Sequence, residues 1–204
     1  MEKWKLVLIM LLLGGVAGYG FYQQNAASQL LDVQPTPLPP GDPTKSSLLN
    51  KPAPEWNIPS DLWMNTPQPI SLQDVKGHIT ILEFFRVECS HCQEAAPFMR
   101  SLYTKHRPQG LRMVAFQSPG KAASENDWSK VQATLRRWKV TYPVAFDKNS
   151  ALFKGKYNGK AFPTVFVLDE KGIIRFRLIG LHDGRAQALE NVIVKALRHA
   201  EAKR

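Results

Sequence analysis

The stretch HITILEFFRV (78–87) is apolar with almost no polar alternation, and GLRMVAFQ (110–117) reads the same way. Short runs this rich in branched and aromatic side chains predict buried strands, the first of them central and covered on both faces. Between them Phe98, Met99 and Leu102 recur at helical spacing, which predicts a helix from Ser90 to Lys105. Further on, SENDWSKVQATLRRWKV (124–140) places Trp128, Val131, Leu135 and Trp138 on one face, with Ser124 and Asp127 expected as its capping box.

YPVAFD (142–147) predicts a short strand. The segment 162–180 predicts two strands joined by an Asp-Glu-Lys-Gly turn, hence an antiparallel hairpin. A closing helix is expected from Asp183 as N-cap, with Leu189, Val192, Ile193, Ala196 and Leu197 inward and Lys195, Arg198 and Arg204 outward. The order implies an α/β fold with a central mixed sheet and helices on both faces.

The N-terminal pattern is different. Leu6 to Tyr22 are 17 uncharged, mostly apolar residues that follow Lys3 and Lys5, and no further Lys or Arg appears until Lys45. That is a membrane-insertion signal of roughly 25 Å as a helix, and the positive-inside bias sends the remainder across the membrane. A cleaved signal peptide is the alternative, since Ala26 and Ala27 are small, although Asn25 makes a poor cleavage site. Residues 33–54 hold seven prolines among small and polar residues, the composition of an extended spacer. The expected organisation is a cytoplasmic head (1–5), a transmembrane signal-anchor (6–24), a Pro-rich linker (25–54) and one domain (55–204).

Hydrophobic content of 44% and charged content of 22% argue against both disorder and a polytopic membrane protein. From Lys45 onward 25 basic residues face 14 acidic ones, a balance of +11. The basic residues are dispersed and accompany no recognition motif, so nucleic acid is not an expected partner. Anionic lipid or acidic client proteins fit the charge better, with solvated helix faces accounting for much of it.

Cys89 and Cys92 are the only two cysteines. A disulfide closing so small a ring contributes little stability, so chemistry explains the pair better than stapling does. At the first turn of a helix, the unpaired N–H groups and the dipole favour an anionic Cys89, and Cys92 is spaced to resolve a mixed disulfide formed there. CxxC also serves as half of a zinc site, but His78, His106, His182 and His199 show no paired spacing to complete one.

The strand and motif ILEFFRVECSHCQEAAP, the later AFPTVFVLDEKG and the N-terminal anchor together resemble the thioredoxin superfamily, specifically the membrane-tethered TlpA/ResA-like thiol–disulfide oxidoreductases. The likeness covers roughly residues 52–200 and implies a thioredoxin fold preceded by an added hairpin. It implies Cys89 as the exposed attacking cysteine and Cys92 as the shielded resolving one, with Pro97 kinking the active-site helix. Pro163 matches a cis-proline lying against the disulfide, so its neighbours Phe162 and Thr164 are expected to meet an extended substrate strand. Glu83 matches a buried acid whose raised pKa suits it to accept the Cys92 proton, the alternative being a Glu83 at a wet sheet edge.

Some positions depart from that family. Glu88 stands where tryptophan is usual, and its charge should oppose the Cys89 thiolate. Ala95 stands where reductants of this type carry glutamate, with Glu94 one place earlier and turned by about 100°. His91 within the ring resembles strongly oxidising DsbA-like proteins and is expected to stabilise the thiolate. Arg86, three residues before Cys89, stands where peroxidatic sites want Thr or Ser.

The expected function is a single-pass inner-membrane enzyme whose C-terminal domain is periplasmic or otherwise extracytoplasmic. It exchanges electrons with client protein thiols and disulfides, as a reductant of the kind used in cytochrome c maturation, and a membrane redox partner recharges it. No organic cofactor or metal is expected beyond the Cys89–Cys92 pair. The alternatives are an oxidase or isomerase of exported proteins, and a non-enzymatic metal-binding module on the same scaffold.

Overall fold

Strand β2 (Thr80–Phe85) is buried at every position, as its unbroken apolar pattern requires. In the computed structural model, which describes residues 46–182 and 184–203, it lies inside a six-stranded sheet of order β1-β4-β3-β2-β5-β6. The other strands are β1 (Trp63–Met64), β3 (Arg112–Gln117), β4 (Val144–Phe146), β5 (Thr164–Leu168) and β6 (Ile174–Ile179). β2 runs parallel to β3 and antiparallel to β5, and β3 runs parallel to β4, so the sheet is mixed as expected. The hairpin of β5 and β6 turns through Asp169 to Gly172, where Gly172 takes φ +77° and Asp169 Oδ1 accepts from the Lys171 and Ile173 amides. A left-handed φ there suits glycine, which has no Cβ to clash.

Alternation along β2 splits the interior in two. Ile81 and Phe85 face a layer made by α2 (Ser90–His106), α4 (Trp128–Arg137) and α5 (Arg185–Glu201), through Met99, Leu102, Val131, Leu135, Leu189 and Ile193. Leu82 and Phe84 face the opposite side, covered by Trp56, Trp63, the four-residue helix α1 (Leu72–Val75) and a single π-helical turn, Ala151–Lys156. Helical segments therefore cover both faces, but the three long ones share a face. The β2-α2-β3 and β3-α4-β4 crossovers proceed in one direction across the sheet, and their common handedness puts both helices on one side.

Several expectations need correction. The helix over 124–140 is two helices, α3 (Ala123–Asn126) and α4, broken at Asp127, whose backbone is extended. Asp127 is itself the N-cap of α4, its Oδ1 accepting from the Ser129 and Lys130 amides at 3.1 and 3.2 Å, so no Ser124/Asp127 capping box forms. In place of a lead-in hairpin, β1 pairs antiparallel with β4 and Pro52 bridges Ile173. Residues 46–54, assigned above to the linker, are docked on β6: the Asn50 amide donates to Ile174 O, the Ile174 amide to Lys51 O, and Ala53 is buried. Packing thus begins ahead of Glu55. Gly184 occupies the N-cap position of α5; Asp183, Arg204, the head, the anchor and the linker up to residue 45 lie outside the described residues. Among the described residues no helix is long and apolar enough to cross a membrane.

Candidate active site

Helix α2 begins at the CSHC motif because Cys89, extended at φ −98° and ψ 115°, serves as its N-cap. Its Sγ accepts the Cys92 backbone N–H at 3.4 Å, filling the role a serine or aspartate oxygen plays at other helix starts. Both cysteines are unbridged thiols, Cys89 half-buried and Cys92 buried at 2% exposure. Pro97 lies inside the same helix.

The two thiols are driven apart in acidity. Hydrogen bonding from the Cys92 thiol is the main force lowering Cys89, and it outweighs partial burial, which raises it; the Cys92 amide and the charges of Arg86 and His91 add to the lowering, and Cys89 comes down to about 6. Cys92 is pushed far up, first by burial, then by donating to Cys89 and by the negative charges of Cys89 and Glu83, against an opposing hydrogen bond from the Arg86 amide. One sulfur is a thiolate at neutral pH and its neighbour is a thiol.

Glu83 comes from β2, on the face it shares with Ile81 and Phe85, and is 2% exposed, which excludes the wet sheet edge. Burial raises its carboxyl from 4.5 to about 7, partly offset by a hydrogen bond from the Tyr142 hydroxyl. Its Oε2 has no hydrogen-bond partner among the described residues. A group half-ionised near neutrality, and near enough to act electrostatically on Cys92, is placed to exchange a proton with it.

The Phe162–Pro163 peptide bond is cis. The Cys89 sulfur lies 3.9 Å from the Phe162 carbonyl oxygen, to which it donates when protonated, so that carbonyl faces the Cys89 sulfur. The Phe162 ring stacks on Phe153 at 4.2 Å between centroids and carries the Arg86 guanidinium at 5.2 Å on its face. Thr164 does not fit its expected contact with substrate. It is fully buried, pairs with Phe84 on one side and Ile179 on the other, and spends its hydroxyl on Ala161 O at 2.6 Å. The Phe162 carbonyl therefore stays beside the Cys89 sulfur, ahead of the point where the sheet closes over Thr164.

Glu88 accepts from Ser124 Oγ at 2.6 Å, which ties its carboxylate to α3. His91 is exposed, its ring centroid 5.9 Å from that of His182. Ala95 is buried and Glu94 exposed, so the earlier glutamate does not take the position that the resemblance leaves empty. Among the described residues no group of three or more His, Cys, Asp or Glu side chains is arranged to hold a metal ion.

Tyr142, Arg86 and Glu125 belong to this neighbourhood and were not singled out by sequence for what they do here. Glu125, 1% exposed, lies 3.4 Å from Arg86 Nε and accepts the Gly120 amide at 2.7 Å. A buried acid within the polar run SEND carries no local signal. Tyr142 opens the YPVAFD segment and reads locally as one more aromatic of a strand.

The AhpC/TSA family profile matches residues 49–177. The thiol-disulfide oxidoreductase ResA of Bacillus thuringiensis is 28% identical over 174 residues, which are 85% of this chain and 86% of that protein. Protein DipZ of Mycobacterium tuberculosis is 26% identical over 141 residues, 68% of this chain and 20% of that much longer protein. Among solved structures, a putative thiol:disulfide interchange protein DsbE from Chlorobium tepidum superposes with a TM-score of 0.61 at 24% identity, covering 73% of this chain and 97% of that one. A thioredoxin-like protein in its oxidised form superposes at 0.64 and 23% identity, covering 75% of this chain and 98% of its own. The fold of the described residues is thioredoxin-like.

Proposed function

The chain belongs to the AhpC/TSA family, and from that premise we propose that it is a thiol–disulfide oxidoreductase, tethered to the membrane, that reduces disulfides of extracytoplasmic client proteins. The observation that carries this is the split between a half-buried Cys89, lowered to about 6 at the N-cap of α2, and a buried Cys92 held as a thiol directly behind it.

The Cys89 thiolate attacks one sulfur of a client disulfide, and the other client sulfur leaves as a thiolate. Cys92, losing its proton to Glu83, then attacks Cys89 Sγ and displaces the second client thiolate. The client gains two electrons, the enzyme becomes the Cys89–Cys92 disulfide, and a membrane-resident dithiol partner returns it to the reduced state. The pair is the whole redox apparatus, with no further cofactor. The uncharged segment 6–24 is the tether, which places the domain outside the cytoplasm. Apocytochromes are a suitable client, given the resemblance of the sequence to membrane-tethered TlpA/ResA-like reductants.

One observation favours a second reading. A thiolate stabilised to about 6, with no carboxylate at Ala95, stabilises the dithiol form and so makes the pair more oxidising. The same scaffold would then introduce disulfides rather than remove them. Equilibration of the full chain with glutathione buffers distinguishes the two. A potential near thioredoxin's, about −270 mV, supports the reductant, and one near DsbA's, about −120 mV, supports the oxidant. Both readings fall if the Cys89→Ser, Cys92→Ser double variant processes a disulfide-bearing protein as fast as the parent.

A further inference from the structure

We propose that Glu125 is a positioning residue that holds the Arg86 guanidinium over Phe162, so that its positive charge remains beside Cys89. This rests on Cys89 being the attacking thiol and extends that assignment to the loop after β3. Arg86 is needed twice at the site: its backbone amide bonds the Cys92 sulfur, and its side chain supplies a charge that favours the Cys89 thiolate. An arginine whose side chain is 36% exposed would ordinarily sample solvent with many rotamers. Here it meets a partner on each of two sides, the Phe162 face at 5.2 Å and, as an ion pair without a hydrogen bond, Glu125 Oε1 at 3.4 Å from its Nε.

The other half of the arrangement is more costly and therefore more telling. Glu125 has a side chain only 2% exposed, and a buried carboxylate is tolerated when it is paired and hydrogen-bonded. Its Oε2 accepts the Gly120 amide at 2.7 Å, and its Oε1 is paired with Arg86 by charge at 3.4 Å, without a hydrogen bond between them. Gly120 is small for a reason visible in the geometry, because a Cβ there would stand 2.6 Å from both Arg86 Nη1 and Glu125 Oε2. Asn126 closes the loop on itself by donating to the Gly120 and Ala122 carbonyls. Ser124, next to Glu125, holds Glu88 at 2.6 Å. Thus one loop, 118–126, restrains both charged side chains of the RVE segment that leads into Cys89.

Among the described residues, the charged and titratable groups around Cys89 are Arg86 and Glu88 from the preceding loop, His91 and Cys92 from α2, Glu83 from β2, Glu125 from α3, and His182 beyond β6, whose ring lies 5.9 Å from that of His91 and is tilted against it. Among them Glu125 gives an unusual sign. Deleting a negative charge near a thiol, with all else in place, lowers that thiol's pKa. If Glu125 acts by holding Arg86, its removal instead releases the cation and raises the pKa.

The test is the thiolate ultraviolet absorbance of the reduced full chain, titrated with pH; Cys92 stays protonated throughout and does not interfere. The parent is expected to titrate near 6. R86Q should raise the midpoint by about 1 pH unit, a loss of roughly tenfold in thiolate below the midpoint. E125Q should raise it too, and R86Q/E125Q should go no higher than R86Q alone. A midpoint in E125Q that falls or stays put overturns the proposal. Should E125Q not fold, G120A carries the test: it keeps both charges but pushes them apart, and an unmoved midpoint there overturns it equally. A parent midpoint at the ordinary thiol value of about 8.5 would instead remove Cys89 as the attacking thiol. A low parent midpoint that R86Q raises and E125Q leaves unmoved defeats only the role of Glu125.

Discussion

The Tyr142 hydroxyl donates a hydrogen bond to the carboxyl of Glu83, inside the sheet-to-helix layer where neither side chain meets solvent. Asn65 fixes the backbone around that tyrosine, its amide donating to the Val140 and Tyr142 carbonyls at 2.9 and 3.1 Å, and Tyr103 packs edge-on against its ring. Glu83 is thereby given one partner and left one oxygen short, a condition in which a carboxyl can take up a proton close to neutral pH.

Tyr142→Phe removes the bond that favours the ionised carboxyl, so Glu83 should rise further above 7. In stopped-flow release of a mixed disulfide, the acid limb of the resolving step should move to higher pH and the rate at pH 6 should drop. A limb that moves to lower pH, or stays in place, separates Tyr142 from proton transfer.

Glu83→Gln removes the base outright. Positioned acid–base groups commonly contribute about a hundredfold or more to a rate, so resolution at pH 7 should slow by at least roughly tenfold while the first attack by Cys89 is unchanged. Equal slowing of both steps would point to a general disturbance of the site.

The same substitution should affect stability with a defined sign. Because folding raises this carboxyl from 4.5 to about 7, the folded chain prefers it protonated, and ionisation costs stability increasingly between those values and constantly above them. At about 1.4 kcal/mol per pH unit the difference is worth roughly 3 kcal/mol. Urea denaturation should therefore find Glu83→Gln more stable than the parent at pH 8, by up to that amount, and nearly equal to it at pH 4. A pH-independent difference would contradict the assignment.

Cys89 should react with iodoacetamide along a single titration centred near 6, so that about 90% is thiolate at pH 7. Its largest stabiliser is the hydrogen bond from Cys92. Cys92→Ala should accordingly raise the midpoint, whereas Cys92→Ser, which keeps a donor, should raise it less. Identical midpoints in the two variants would assign the lowering to the helix start alone.

Gly159→Ala probes the aromatic support under Phe162. An added Cβ would lie 2.0 Å from the Phe153 ring, and that ring stacks on Phe162 at 4.2 Å. Overpacking of this kind costs about 1–3 kcal/mol, so the variant should melt earlier than the parent. An unchanged melting temperature would show that Phe153 can swing away without loss.

The parts of the fold that depend on neighbours along the chain were legible in the order of residues. The buried strand at 78–87, the helix starting at the cysteines, and the Asp169–Gly172 turn each follow from local periodicity, steric limits on φ, and the unpaired amides of a helix start. The CSHC spacing was likewise enough to propose a redox pair and to place both cysteines at a helix start. The break at Asp127 was missed because Ser124 and Asp127 satisfy a capping pattern on paper, while the structure spends the Ser124 hydroxyl on Glu88. Other features were out of reach for a different reason. The Tyr142–Glu83 and Arg86–Glu125 pairs, the burial of Thr164 and the docking of residues 46–54 on β6 join positions far apart in the chain. Their energies exist only after the sheet has brought those positions together, so no window of sequence contains them. Residue order determined that this chain carries two thiols one turn apart at a helix start; tertiary structure decided which charges surround them, because acidity depends on burial and distance, and both are properties of the folded chain.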